Sequence, residues 1–281
     1  MVVLVTGANG QLGQSLRFIS GNFAEITFYF LSSADLDITN SSAVNETFKT
    51  IKPNYCINAA AYTAVDKAES EAEKAYAVNM IGVGNLADAC KESNTIMIHI
   101  STDFVFDGNK RTPYTEKDST NPQGIYAQTK LEGERELQKT HDRYFILRTS
   151  WVYSQFGNNF MKTMLRLSQE RTELNVVNDQ IGTPTNAVDL AKAILQIIRS
   201  GSQEFGIYNF SNEGVASWYD FAQKIFEINH IQINLKPIPT LEFPTPAKRP
   251  SYSVLDKSKI KSVFDIDILD WETSLRQNNT I

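Results

Sequence analysis

Cysteine, histidine and clustered positive charge are all scarce in this 281-residue chain, and each scarcity removes a class of function. Two cysteines, Cys56 and Cys90, cannot make a zinc site by themselves. Lying in a strand-like and a helix-like run, they fit core thiols in a reducing compartment better than a disulfide. The histidines, His99, His141 and His230, are far apart in sequence. His99 reads as a satisfied core residue and the other two as surface residues, so no metal is expected. Lysine and arginine number 27 against 32 acidic residues, a net charge of −5, with no block of consecutive cations. Nucleic acid is therefore not an expected partner, because affinity for a phosphate backbone needs clustered cations. No apolar run approaches the roughly 18 residues that span a bilayer. The opening residues 1–5 lack the basic segment and length of a signal peptide. The expected compartment is the cytoplasm, with no membrane partner.

What is present is the composition of a globular protein, 42% hydrophobic and 21% charged. The length suits one large domain or two. Short apolar runs at 2–5, 26–31, 55–58, 96–101 and 144–147 read as buried strands. Between them, 14–19, 44–51, 66–92 and 126–139 read as helices. That alternation predicts an α/β fold, a doubly wound parallel sheet of Rossmann type. After Trp151 the rhythm changes. Helices are expected at 158–169, 186–199 and 218–229, the last capped by Ser217. Residues 175–177 read as extended and 206–210 as a late strand of the main sheet. Five prolines from Pro237 to Pro250 predict a loop, and short helices follow at 257–263 and near Trp271. The dinucleotide-binding domain is expected at 1–150 plus roughly 186–212. A smaller, mostly helical substrate domain is expected at roughly 151–185 and 213–281.

Gly7, Gly10 and Gly13 follow the first strand directly and open the first helix. Glycine permits the tight turn and lets the backbone approach a pyrophosphate, which the helix N-terminus then receives. No Gly-Lys-Ser/Thr follows, so a P-loop is excluded. The second strand ends at Leu31, Ser32 and Ser33 without an acid at its tip. Asp35 comes slightly late, and Asp37 falls in the next loop, under the adenine. With no acid to repel a 2′-phosphate and no arginine to attract one, NADPH is the expected cofactor, with NADH left open.

The chemistry is expected between Ser101 and Lys130. Thr102 stands at the end of a strand, and 24 residues later Tyr126 and Lys130 share one helix face. A free phenol titrates near 10, so its phenolate needs support, which Lys130 and an oxidised nicotinamide would supply. Thr102 can hydrogen-bond both the phenol and a substrate carbonyl. The three make a proton relay for a ketone or alcohol.

This combination resembles the extended branch of the short-chain dehydrogenase/reductase superfamily. Closer still, 58–69 (NAAAYTAVDKAE), 101–108 (STDFVFDG), 148–153 (RTSWVY), 157–160 (GNNF), 178–185 (NDQIGTPT) and 246–250 (PAKRP) resemble the dTDP-4-dehydrorhamnose reductase family. The resemblance implies NADPH-dependent reduction of the 4-keto group of a dTDP-sugar. It makes Thr102, Tyr126 and Lys130 catalytic, and Lys130 also a holder of the nicotinamide ribose. It adds Gly10, Gln11, Leu12, Asp37, Ile38, Ala61, Tyr62 and Thr63 at the cofactor, and Asn79 as a support for the lysine. Thr102, Asp103 and Trp151 are expected at the sugar, where an indole offers a flat face. Arg249 could meet a diphosphate, although an exposed loop arginine reads equally well.

Two departures carry information. Phe104 follows Asp103 where related dehydratases have a glutamate, which favours plain reduction. Ser15 stands where a metal-bridged dimer of the family would need a glutamate; a homodimer of another kind stays open. Two alternatives remain: a reductase of a different dTDP-4-keto-6-deoxy sugar, or a non-catalytic NADP-binding regulatory subunit, the role of a mammalian relative.

Overall fold

The computed structural model describes residues 1–278. The chain runs Val2–Thr6 (β1), Gln11–Ser20 (α1), Thr27–Leu31 (β2), Ser41–Ile51 (α2) and Tyr55–Asn58 (β3). Three helical pieces follow, Val65–Ala68 (α3), Ala72–Tyr76 (α4) and Gly82–Glu92 (α5), with a π turn at Ala77–Ile81 joining the last two. Next come Ile96–Thr102 (β4), Ile125–Thr140 (α6), Tyr144–Thr149 (β5), Val152–Tyr153 (β6), Phe160–Glu170 (α7) and Glu173–Val177 (β7). Ile181–Gly182 (β8), Thr185–Asn186 (β9), Ala187–Ser200 (α8), Gly206–Asn209 (β10) and Ala216–Ser217 (β11) lead to Trp218–Ile228 (α9). Asn234–Ile238 (β12), Ser258–Phe264 (α10) and Trp271–Asn278 (α11) complete the described chain.

Six strands pair in parallel in the order β10-β5-β4-β3-β1-β2. Side chains alternate across a strand, so each strand feeds two cores. Val3, Val5, Ile57, Ile98, Phe145 and Leu147 pack with α1, α8 and α10 on one face. Leu4, Cys56, Met97 and Ile146 pack with α2 and α5 on the other. Burial on both faces explains why these strands read as continuous apolar runs. Winding reverses at β1, which lies between β2 and β3. That leaves a crevice beyond the carboxyl ends of β1 and β3, the place where open α/β sheets take ligands. A third core gathers Tyr153, Met161, Leu174, Phe221, Ile225 and Trp271 from the segments after β5.

The sheet follows the expected pattern, and several details differ. The helix expected at 66–92 is broken after Ala68, where the amides of Ser70 and Glu71 both turn to Lys67 O and the Ser70 hydroxyl joins them. Pro237, expected in a loop, lies in β12 opposite Val176. β12 pairs with β7 alone, and an edge strand tolerates a residue without an N–H. His141 is buried, with Nε2 at 2.9 Å from Thr95 O, so it is not a surface residue. His99 is buried as expected but only half satisfied: Asn58 Nδ2 donates to Nδ1 at 3.1 Å, and Nε2 has no partner. Ser15 is fully buried and bonded to Gln11 O, so its position says nothing about a surface metal bridge. Among the described residues no group of His, Cys, Asp and Glu could hold a metal, and no helix is long and apolar enough to cross a membrane.

Candidate active site

A cavity of about 640 Å³ opens at the carboxyl ends of β1, β3 and β4, a size suited to small-molecule ligands. Gly10, Gln11, Leu12, Ala61, Thr63, Thr102, Asp103, Tyr126, Lys130, Trp151 and Arg249 line it. Gly7, Gly13, Asp37, Ile38 and Tyr62, expected at the cofactor, do not.

The glycine loop closes the crevice from the β1 side. Gly7 has φ +68°, and a Cβ there would sit 2.5 Å from Ala60 N. The loop after β1 is therefore pressed onto the alanines after β3, a contact only glycine allows. Gly10 caps α1 without any side-chain bond to its first turn. Those N–H groups, at the positive end of the helix dipole, fit a pyrophosphate. The Gln11 side chain is engaged elsewhere: Nε2 donates to Val152 O, and Oε1 accepts from Asn159 Nδ2 and Ser154 Oγ. It ties the glycine loop to the start of α7.

Further along the crevice, Ile38 is buried beside Gly82 and its carbonyl accepts from Asn85. Asp37 is exposed and its carboxylate binds Thr39. Asp35 folds back onto Ser32 N and Oγ, and those bonds hold its carboxyl below the usual range. Sequence reading found no arginine here. The fold brings Arg17 from α1 over the Phe30 ring at 4.9 Å, near enough to act on Asp35.

Around the reacting groups, Thr102 Oγ1 donates to Asp103 Oδ1 at 3.1 Å and accepts from Phe104 N at 3.2 Å. Tyr126 stands edge-on to Phe104, ring centroids 5.9 Å apart. The ring is partly exposed, but its hydroxyl is deeply enclosed. Burial pushes the phenol up to about 12; the neighbouring Thr102 hydroxyl opposes this, and the nearby Asp103 carboxylate adds to it. Asp103 is itself raised to about 7 by burial, against hydrogen bonds from Ser253 and Thr102. Lys130 is buried, donates to Ile100 O at 2.6 Å, and is lowered to about 8 by desolvation. The lowering of the phenol expected from Lys130 is absent: burial raises it, and the group that opposes the rise is Thr102. Asn79 does not reach the lysine either. Its Oδ1 accepts from Tyr62 N, and its Nδ2 donates to Tyr62 O and to Thr129 Oγ1. From the π turn it fixes the chain after β3 against α6.

Trp151 has φ +45°, a strained value for so large a residue. Its indole stacks on Trp218, centroids 3.6 Å apart and planes within 8°. One flat face is therefore taken, and the indole is not the open platform that the sequence suggests. Gly182 leaves the room: a Cβ there would sit 2.6 Å from Trp151 Cε2. Sequence reading missed Trp218, for which the one signal is an indole at the first position of a helix capped by Ser217. Trp218 and Arg249 also line a neighbouring cavity of about 660 Å³, with Met164, Leu167, Val176 and Phe243. The Arg249 guanidinium makes paired 2.8 Å bonds to Asp66 and further bonds to Thr245 and Ala247 O. The pair holds Asp66 below the usual carboxylate range. Arg249 is thus a tie between the proline-rich loop and α3.

The family model of the RmlD substrate binding domain matches residues 1–279. A dTDP-4-dehydrorhamnose reductase from Aggregatibacter actinomycetemcomitans is 44% identical, over 98% of this chain and 97% of that protein. The crystal structure of a dTDP-4-dehydrorhamnose reductase from Clostridium acetobutylicum is 44% identical, with a TM-score of 0.95 over 99% of this chain and 98% of that one. A dTDP-4-dehydrorhamnose reductase from Bacillus anthracis, solved in complex with NADP, is 40% identical, with a TM-score of 0.94 over 99% and 98%. A UDP-glucose 4-epimerase from Brucella ovis, 19% identical with a TM-score of 0.83, shares the fold.

Proposed function

The chain belongs to the dTDP-4-dehydrorhamnose reductase family, and from that membership we propose that it reduces the 4-keto group of dTDP-4-dehydro-L-rhamnose with NADPH, the last step in making dTDP-L-rhamnose. The observation that carries this is the meeting of the uncapped start of α1 with Thr102, Tyr126 and Lys130 in one cavity.

Reduction of a ketone needs a proton donor at the carbonyl oxygen, and Tyr126 meets that need. A phenol raised to about 12 is protonated at neutral pH. With substrate bound, the Thr102 hydroxyl turns its single proton from Asp103 to the carbonyl oxygen and so orients that oxygen towards the phenol. Tyr126 then gives its proton to that oxygen, and the Lys130 ammonium steadies the phenolate left behind. Gly10, Gln11 and Leu12 would hold NADPH, which would supply the hydride and, once oxidised, a positive charge. Lys130, anchored on Ile100 O, would hold the nicotinamide ribose. Asp103 and the edge of the Trp151–Trp218 stack border the sugar. The second cavity, shared through Trp218 and Arg249, gives the nucleoside end room. The residues at 1–150 and 186–212 serve the cofactor, and the rest of the chain serves the sugar nucleotide. The buried free thiols Cys56 and Cys90 suit a cytoplasmic enzyme.

The test is loss of the nicotinamide absorbance when the protein meets NADPH and dTDP-4-dehydro-L-rhamnose. Oxidation of NADPH with formation of dTDP-L-rhamnose is expected. Oxidation only with another keto sugar would redirect the substrate, and none with any would remove the reading.

A further inference from the structure

Beneath the reacting groups lies a buried ion pair to which the mechanism above gives no task. Glu134 follows Lys130 by four residues on α6, so the two share a helix face. Its Oε1 accepts from Ser101 Oγ at 2.5 Å and Arg148 Nε at 3.0 Å, and its Oε2 accepts from Arg148 Nη2 at 2.6 Å. The side chains of Arg148 and Glu134 are 3% and 1% exposed. Ser101 directly precedes Thr102, and Arg148 faces Ser101 across the β4–β5 pair. One hydrogen bond thus joins the helix that carries the phenol and ammonium to the strand end that carries the hydroxyl, and two more join it to the neighbouring β5. Lys130 reaches the same strand, at Ile100 O.

We propose that Glu134, clamped by Arg148 and Ser101, is a positioning residue for the reduction: it sets Tyr126 and Lys130 against Thr102 and gives Lys130 its counter-charge. The proposal rests on the reductase reading above. Folding alone is a poor reason for such a cluster, since apolar residues of similar volume often serve as well as a buried ion pair. Arg148 Nη1 has no acceptor at all, and its guanidinium lies 5.1 Å from the centre of the Phe106 ring.

The charged surroundings of Lys130 give the sign of the pH effect. On its own helix are Tyr126 and Glu134; from β4 and the following turn come His99 and Asp103, and from β5 Arg148. Glu69, beside α3, meets the helix start at Ile125 N. The inward face of α5 offers Val83, Leu86, Ala87 and the Cys90 thiol, and the π turn offers the uncharged Asn79. Burial lowers Lys130 to about 8, and Glu134 is the neighbour that opposes the lowering. Without the Glu134 charge Lys130 loses its proton at lower pH, so the alkaline limb of activity moves down.

The experiment compares the full chain with Glu134→Gln, using NADPH and dTDP-4-dehydro-L-rhamnose across pH. Expected are a kcat about tenfold lower, a KM for the sugar within about threefold, and an alkaline limb about one pH unit lower. Because Gln leaves the Arg148 charge buried without its partner, Glu134→Gln/Arg148→Met is measured alongside, with folding followed by circular dichroism. A folded double variant with the same low kcat, its limb displaced less than in Glu134→Gln because the Arg148 charge is gone as well, supports the proposal. Parental kcat and pH profile in either folded variant overturn it, as does a double variant that cannot fold, which would make the cluster structural. A parent protein that turns over no keto sugar is a distinct outcome; it ends the reductase reading and this inference with it.

Discussion

On the side of β1 and β3 the cavity wall is made by residues that follow a strand end within a few positions: the glycine loop after Thr6 and the alanines after Asn58. On the side of Trp151 it is made by residues that meet only in the folded chain. Trp151 meets Trp218 and Gly182, and Arg249 meets Asp66, 183 residues away. The first wall inherits its shape from a regular sheet buried on both faces. The second depends on a few side-chain contacts and one strained backbone position. Damage to the two walls should therefore separate cofactor binding from sugar binding, and damage to α6 between them should separate chemistry from both.

The largest effect is expected at α6. Tyr126→Phe removes the proton donor while keeping the ring against Phe104, so kcat should fall by about 10²–10⁴-fold. The Kd for NADPH, measured by fluorescence titration, should stay near that of the parent. A kcat within a few-fold of the parent would remove Tyr126 from the mechanism.

Next come two glycines, one in each wall. Gly7→Ala places a Cβ against Ala59 and Ala60 at a positive φ. It should cost about 1–3 kcal/mol of stability and weaken NADPH binding by about tenfold or more. Gly182→Ala drives a Cβ into the Trp151 indole. It should raise KM for the sugar by about tenfold and leave the Kd for NADPH unchanged. If both variants impair the same ligand, the two walls are not independent and the comparison fails.

The smallest effect is one of pH. Asp103 is raised from 3.8 to about 7 by burial, so the folded protein prefers its protonated form. Its contribution to stability is fully present below about pH 4 and is lost as pH rises through about 7. Against Asp103→Asn, the parent should therefore melt relatively higher at pH 4 and a few degrees lower at pH 8. A melting difference that does not vary with pH would mean that the carboxyl is not held in its acid form.

The same contrast decides how much could be read from the sequence. The parallel sheet was legible because its strands are short apolar runs broken by helices of regular period. The glycine loop was legible because Gly7, Gly10 and Gly13 follow a strand at once. Tyr126 and Lys130 were legible because helix geometry turns a spacing of four into proximity. What escaped depends on distant partners or on backbone shape. Neither the φ of Trp151 nor its stack on Trp218 follows from any local spacing. Arg249 looked free because Asp66 is far off in sequence, and Arg17 looked irrelevant because α1 carries it back over β2. Burial escaped as well: the spacing of Tyr126 and Lys130 suggests a lowered phenol, whereas desolvation raises it.

The central claim is that hydride reaches carbon 4 of the sugar while Tyr126 protonates the oxygen. NADPH deuterated at the transferable nicotinamide position tests it directly, with the product of dTDP-4-dehydro-L-rhamnose read by mass spectrometry and proton NMR. One deuterium at C4 of dTDP-L-rhamnose is the predicted result. Deuterium elsewhere in the sugar, or NADPH consumed without a labelled sugar, would contradict it.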